Sequence, residues 1–248
     1  SSTSYLDLPT EFWMPSTQRL APMCSRQIAA EYSHRFPVGM DMKLGGWYKT
    51  MDNLTEQWNS YSYIPPVNNW DLSVITGKGR SYGLESEIEY TGKNLSLGAY
   101  YTLSWSERRF EELWYEWYPD KYDNRHKINL NASYRFSDRF DVYAGWNYHS
   151  GNRVTVNGYK YGRYGSIIYR FGSPNNMRLP DYHRLDVGLN FRKTTRKGNQ
   201  SVWNLSVYNV YCRMNAMFAQ MQIYTDSDRS VSYGIVPIIP SFSYTLKF

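Results

Sequence analysis

The terminal stretch SFSYTLKF puts Phe242, Tyr244, Leu246 and Phe248 on one side of an extended chain and Ser241, Ser243, Thr245 and Lys247 on the other. Strict alternation of this kind specifies a strand with one wet and one apolar face. The same period recurs upstream. In Tyr182–Phe191, Leu185, Val187, Leu189 and Phe191 oppose Arg184, Asp186, Gly188 and Asn190. In Lys127–Phe136, Ile128, Leu130, Ala132, Tyr134 and Phe136 oppose Asn129, Asn131, Ser133 and Arg135. Phe140–Tyr148 and Leu95–Trp105 alternate likewise, and Tyr82–Tyr90 sets Glu85, Glu87 and Glu89 on its polar side. Gln27–Phe36 and Met40–Met51 repeat the pattern with more noise, and Val202–Val210 and Val236–Phe248 complete it. The pattern predicts about nine strands of about ten residues, the length that crosses a bilayer when tilted.

The connections alternate in length. Short polar turns are expected at 37–39, 91–94, 137–138 and 195–199, and long aromatic or Gly/Pro-rich loops at 53–77, 107–123 and 151–180. A further excursion spans about 211–232, its outer parts prolonging the flanking strands. Tight turns at one end and long loops at the other are the pattern of an outer-membrane barrel. Aromatic residues also gather at strand ends (Tyr82 and Tyr90, Trp105, Trp146 and Tyr148), where an interfacial girdle needs rings with a polar tip. The reading is therefore an all-β, antiparallel transmembrane β-barrel whose apolar stripe meets lipid. A soluble sandwich, the alternative, predicts Val/Ile/Leu-dominated inner faces and no rings at both ends of nearly every strand.

Composition narrows this further. Aromatic residues make up 18% of the 248, with 25 Tyr and 9 Trp. No run approaches the ~18–20 apolar residues of a membrane helix. The net charge of +6 comes from cations interleaved with acids, which argues for a mixed polar surface or lumen and against nucleic acid as a partner. Cys24 and Cys212 lie far apart without a CxxC spacing, so the sequence leaves a disulfide between them open and implies no metal site. The first residues carry no basic start and no apolar run of signal-peptide length.

Parity sharpens the expectation. If the short turns are periplasmic, the last strand runs inward, and so does the first, with residues 1–24 outside. An odd strand number cannot close a single-chain barrel with both ends in the periplasm, and open edges are costly in lipid. The chain is expected to be the C-terminal part of a larger barrel, its other strands upstream or in another chain.

YGLESEIEYTGKNLSLGAYYTLSWSERRF, YDNRHKINLNASYRF, LPDYHRLDVGLNF, WNLSVYNVYCRMNA and the terminal PSFSYTLKF, in this order, resemble the C-terminal half of TonB-dependent outer-membrane receptors, most like those of the Bacteroidetes. The resemblance runs from about Asp7 to Phe248. It implies nine C-terminal strands of a barrel of about 22 strands closed by an N-terminal plug, with 1–248 as barrel domain only. It implies transport rather than catalysis, in the outer membrane of a Gram-negative bacterium, of a siderophore, cobalamin, glycan or peptide. The implied partners are the remaining strands and the plug, TonB acting through the plug, outer-membrane lipids, and a surface lipoprotein that captures ligand. The plug is absent from these residues, so this chain alone could not perform energised transport. Phe242, Tyr244, Leu246 and Phe248 resemble the signal read by the barrel-assembly machinery.

The residues suggest binding rather than chemistry. His34, His126, His149 and His183 lack metal-pair spacing, and His126 and His183 stand where loops enter strands, a place for hydrogen bonding at the outer interface. Glu85, Glu87 and Glu89, about 7 Å apart in succession, expect cross-strand cations more than acid–base work. Asp226 and Asp228 frame a turn with a weak claim to a cation. No phosphate loop or nucleophile elbow occurs, and no cofactor is implied. The best ligand candidates are ring-dense outer loops: Trp58, Tyr61, Tyr63 and Trp70; Trp114, Tyr115, Trp117 and Tyr118; Tyr159, Tyr161, Arg163 and Tyr164. Flat rings stack on sugars or siderophore aromatics, and Arg pairs with carboxylates; the same rings also serve simply to pack loops. An outer-membrane phospholipase or protease, and a soluble aromatic-rich carbohydrate-binding domain, are the competing functions.

Overall fold

The computed structural model describes residues 15–57, 70–155, 157–163, 166–194, 198–223, 228–234 and 236–247. In chain order, β1 (Cys24–Phe36) and β2 (Met40–Gln57) form a hairpin, and the 3-10 turn Trp70–Ser73 leads to β3 (Val74–Thr91) and β4 (Leu95–Phe110). β5 (Trp114–Pro119) folds back on β4 and is followed by β6 (His126–Ser137) and β7 (Phe140–His149). The next connection holds β8 (Arg153–Val154), β9 (Asn157–Arg163), β10 (Ser166–Phe171) and β11 (Met177–Arg178). β12 (Tyr182–Thr194), β13 (Gln200–Tyr208), β14 (Ala216–Ile223), β15 (Asp228–Gly234) and β16 (Ile239–Lys247) complete the chain.

Nine strands form one antiparallel wall in the order β1-β2-β3-β4-β6-β7-β12-β13-β16, with β5 attached to β4. β9 with β10, β8 with β11, and β14 with β15 make separate two-stranded ribbons inside the long connections. The nine wall strands are the nine expected from the sequence. Several reach further outward than expected: β2 to Gln57, β4 to Phe110, and β3 back to Val74. The run Glu107-Arg108-Arg109 and a bulge in β2 between Met51 and Leu54 hide these extensions from a two-residue period. β13 stops at Tyr208, where Asn209 takes a left-handed φ of 56°.

Register gives the wall its two faces. Residues directly opposite in antiparallel strands share a face. One row runs Ile88–Ala99–Leu130–Trp146–Leu185, and another runs Val142–Leu189–Leu205–Phe242. The other face carries rows such as Ser33–Lys43–Glu87–Tyr100–Asn129–Asn147–Arg184. The apolar face is uncovered: Ile28 is 74% exposed, Leu84 56% and Phe242 59%. The buried apolar residues, by contrast, are Leu20, Val74, Ile75, Phe110, Tyr118 and Leu179, on outer strand extensions or in connections. A dry inter-sheet core, which the sandwich alternative requires, does not appear among the described residues.

The short turns lie at one end. Gly39 N–H donates to Phe36 O at 3.2 Å with a φ of 79°, a left-handed conformation natural to glycine. Gly92 N–H donates to Leu95 O at 2.8 Å, and Asp138 and Arg139 turn the chain between β6 and β7. Residues 195–197 of the fourth turn lie outside the described residues. Among the described residues no helix is long and apolar enough to cross a membrane, which says nothing of a crossing by strands.

Candidate functional site

The long connections meet at the opposite end of the wall, and their packing starts from the bulge in β2. Asn53 there takes a left-handed φ of 58° and donates from Nδ2 to Pro22 O at 3.0 Å. The extra residue reverses the parity of β2, so Leu54 turns to the polar side, opposite Gly77. Ile75, Phe110 and Tyr118 form a buried cluster there, with Leu54 and Trp114 packed against it. Phe110 is wholly buried. Gly77 makes room for it, since a Cβ at that position would stand 2.6 Å from the Phe110 ring. Burial, with the Glu56 charge next, pushes the Tyr118 hydroxyl up to about 12. Arg108 bridges Glu56 and Asp120 beside the cluster.

A second, polar junction ties the connection after β5 to the one after β7. Asp123, 2% exposed, accepts on one oxygen from Ser106 N–H at 3.1 Å. Its other oxygen accepts from Arg125 at 3.1 Å, Arg153 at 3.3 Å and Arg178 at 3.1 Å. Arg178 also donates to the carbonyls of Asp123 and Gly151 at 2.8 and 2.9 Å. Burial and the neighbouring Arg153 guanidinium hold the Arg178 pKa below its ordinary value. Asn124 donates to Ser150 O and Asn152 Oδ1, and Asn175 to Pro119 O. Asp181 accepts from the Tyr148 hydroxyl at 2.7 Å and from Gly151 N–H at 3.0 Å. Burial pushes its carboxyl up, but these bonds and Arg178 outweigh burial and keep it below the usual carboxylate range. One carboxylate thus fixes three guanidiniums and two loops.

The candidate rings divide. Tyr118 is buried, and Trp114 packs on the apolar cluster. Tyr115 is 71% exposed, and Trp117 lies under Arg80 (4.4 Å to the ring centroid) and Arg109 (5.7 Å). Trp70 opens the 3-10 turn, and Tyr159, Tyr161 and Arg163 lie on β9. Trp58, Tyr61, Tyr63 and Tyr164 lie outside the described residues. Phe242 and Tyr244 flank Trp203 at 5.7 and 4.9 Å, Leu246 follows on the same face, and Phe248 lies outside the described residues.

The histidines at the loop-to-strand junctions make hydrogen bonds. His126 Nδ1 meets the Tyr101 hydroxyl at 2.9 Å and His183 Nδ1 the Tyr211 hydroxyl at 2.8 Å. On the polar face Glu87 accepts from Lys43 on the neighbouring strand at 2.8 Å, the cation expected there, whereas Glu89 accepts from the Tyr100 hydroxyl at 2.5 Å in place of a cation. Cys24 and Cys212 are free and exposed. Asp226 lies outside the described residues, and no group of three or more metal-ligating side chains occurs among the described ones. The junction around Asp123, which sequence reading missed, was signalled only by the spacing of Asp123-Asn124-Arg125 before a strand.

Comparison with solved structures gives the wall its relatives. The ferripyoverdine receptor of the outer membrane of Pseudomonas aeruginosa, bound to ferripyoverdine, matches 89% of this chain at 16% identity with a TM-score of 0.56. FpvA of the same organism, bound to heterologous pyoverdines, matches 90% at 15% identity with a TM-score of 0.54. The FrpB iron transporter from Neisseria meningitidis matches 81% at 12% identity with a TM-score of 0.52. The match covers 27%, 26% and 29% of those chains, so the present chain spans under a third of their length. At these identities the likeness is one of fold: the sheet has the strand arrangement of an outer-membrane receptor. No family model matches the sequence, and no curated protein matches it.

Proposed function

We propose that the chain is the C-terminal barrel portion of a TonB-dependent outer-membrane transporter that takes up a large nutrient under energy supplied from the inner membrane. The observation that carries this is the largely apolar face across nine antiparallel strands, with the described tight turns between successive wall strands at one end and the long connections at the other. Such a face is stable where hydrocarbon replaces water, and a strand wall satisfies its backbone groups only by pairing with neighbours. Likeness in fold to outer-membrane iron receptors supports the same reading. The remaining strands and a plug then come from upstream residues or another chain, and TonB acts through the plug. A surface lipoprotein is a further expected partner. Two of the neighbours are bound to pyoverdines, so a ferric siderophore is the first ligand to test.

The full-length protein is expected in the outer-membrane fraction, extractable only with detergent, and to run faster on gels before heating than after. Uptake of radiolabelled ferric siderophore should require it and should stop when the inner-membrane proton gradient is collapsed. Release into buffer without detergent sinks the membrane reading; uptake that persists without the gradient sinks energised transport.

A further inference from the structure

We propose that the outward face of β2, β3 and β4 binds a membrane lipid whose head group is a terminal phosphate monoester. This rests on the reading that the apolar face meets the bilayer. A cavity of about 450 Å³ opens there, lined by Tyr48, Arg80, Tyr82, Leu84 and Trp105 among others. Register places Tyr48 opposite Tyr82 and Tyr82 opposite Trp105, on the face that carries Leu84 and Leu103. The rings are stacked: Tyr48 on Tyr82 at 6.1 Å and 25°, Tyr82 on Trp105 at 5.3 Å and 10°. Arg125 continues the row, its guanidinium carbon 4.6 Å from the Trp105 ring centroid.

A row of parallel rings across three strands offers an extended apolar wall, suited to an acyl chain. One step outward along β3, about 7 Å by the strand rise, stands Arg80. It is held rather than free to wander: its Nε donates to Glu107 Oε2 at 2.6 Å, and its plane covers Trp117 at 4.4 Å. Among the described residues its two Nη atoms have no hydrogen-bond partner, and its side chain is 34% exposed. A fixed guanidinium with a donor edge left over is the group that recognises phosphate oxygens in a two-pronged way. The cation stands on the loop side of the rings, where a head group lies when chains lie along the strands. An apolar wall below and a two-donor cation above match one amphiphile with a phosphate at its polar end.

The test uses the full-length protein in neutral detergent, mixed with phosphatidic acid or with phosphatidylcholine of the same acyl chains, bound lipid being read by native mass spectrometry. Phosphatidic acid should be retained about ten-fold more strongly, the scale of one charge-assisted pair. Arg80→Gln should remove that preference. Glu107→Gln, which frees Nε from its carboxylate, should keep or increase it. A role confined to the Arg80–Glu107 bridge predicts equal loss in both variants. Arg80→Lys, which keeps charge but loses the planar fork, should fall between and serves if Arg80→Gln does not fold, as judged by heat-dependent gel mobility. Equal retention of the two lipids by folded protein, preference unchanged in Arg80→Gln, or full displacement by inorganic phosphate alone would each overturn the proposal. Absence of the protein from the membrane fraction would instead overturn the reading on which it rests.

Discussion

A Cβ placed on Gly188 would stand 2.3 Å from Cζ of Tyr143, the residue directly opposite it on the neighbouring strand. The Tyr143 ring thus covers the glycine on the polar face, and its hydroxyl accepts from Asn204 Nδ2 at 3.1 Å one strand further on. Gly83 serves Trp47 in the same way, but there the added carbon would also stand 2.5 Å from the Leu103 carbonyl oxygen. A ring can swing aside; a backbone carbonyl in a ladder cannot. Gly83→Ala is expected to cost about 1–3 kcal/mol as overpacking, and Gly188→Ala less, chiefly the Asn204–Tyr143 bond. Urea-induced unfolding of the detergent-solubilised protein, followed by loss of the fast-migrating gel form, should rank them in that order.

Leu130 and Asn131 are neighbours in β6 on opposite faces, Leu130 across from Ala99 and Trp146, Asn131 across from Gly98 and Gly145. Leu130→Arg should cost about 2–4 kcal/mol for a midplane lipid contact. Asn131→Arg, on the polar side beside two glycines, should fold nearly as well as the parent. Refolding yield into lipid vesicles checks this; equal tolerance of both would remove the bilayer from the account.

Phe110→Ala empties the centre of the outer cluster. The expected cost is about 3–5 kcal/mol, confined to the β4–β5 hairpin and the ends of β2 and β3. Hydrogen exchange should rise at Ile75 and Tyr118 while amides of β6 and β7 keep their protection.

Asp123→Asn removes the carboxylate shared by Arg125, Arg153 and Arg178. Breaking a buried pair on one side costs about 3–5 kcal/mol. The two connections it joins should become sensitive to trypsin at neutral pH, with the wall intact on the gel.

Asp181 predicts an acid limit for the same junction. Its carboxyl is held below the usual range in the fold, so its contribution is whole above the ordinary value of about 3.9 and is lost as pH falls below that. Cleavage of the connection after β7 by an acid-active protease should accelerate below about pH 4 in the parent. In Asp181→Asn it should already be fast at pH 5.

The wall was legible because its signal is local. Leu185, Val187, Leu189 and Phe191 fall on one side by count alone, and each found its apolar partner across the strand. The outer mouth was not, because its order is built from non-local bonds. Nothing near Asp123 in the chain announces Arg153 or Arg178, which reach it from 30 and 55 residues away. Trp114 and Tyr118 looked from sequence like ligand-facing rings; Phe110 and Ile75, which cover them, lie on other strands. Alternation also failed where β2 gains a residue, since a period of two cannot register a single added position.

That added position has a consequence for how the protein can change. Deleting Asn53 would remove the bulge and leave Leu54 opposite Gly77 on a plain two-residue count from Met51, whereas one further residue inserted there would swing Leu54 out to the opposite side, away from Phe110. A single-codon insertion or loss that no bulge absorbs is therefore the smallest mutational step by which a strand here moves a side chain between two solvents, and it does so for every residue beyond it at once. Lineages should accordingly conserve length within the strands and let it drift in the loops.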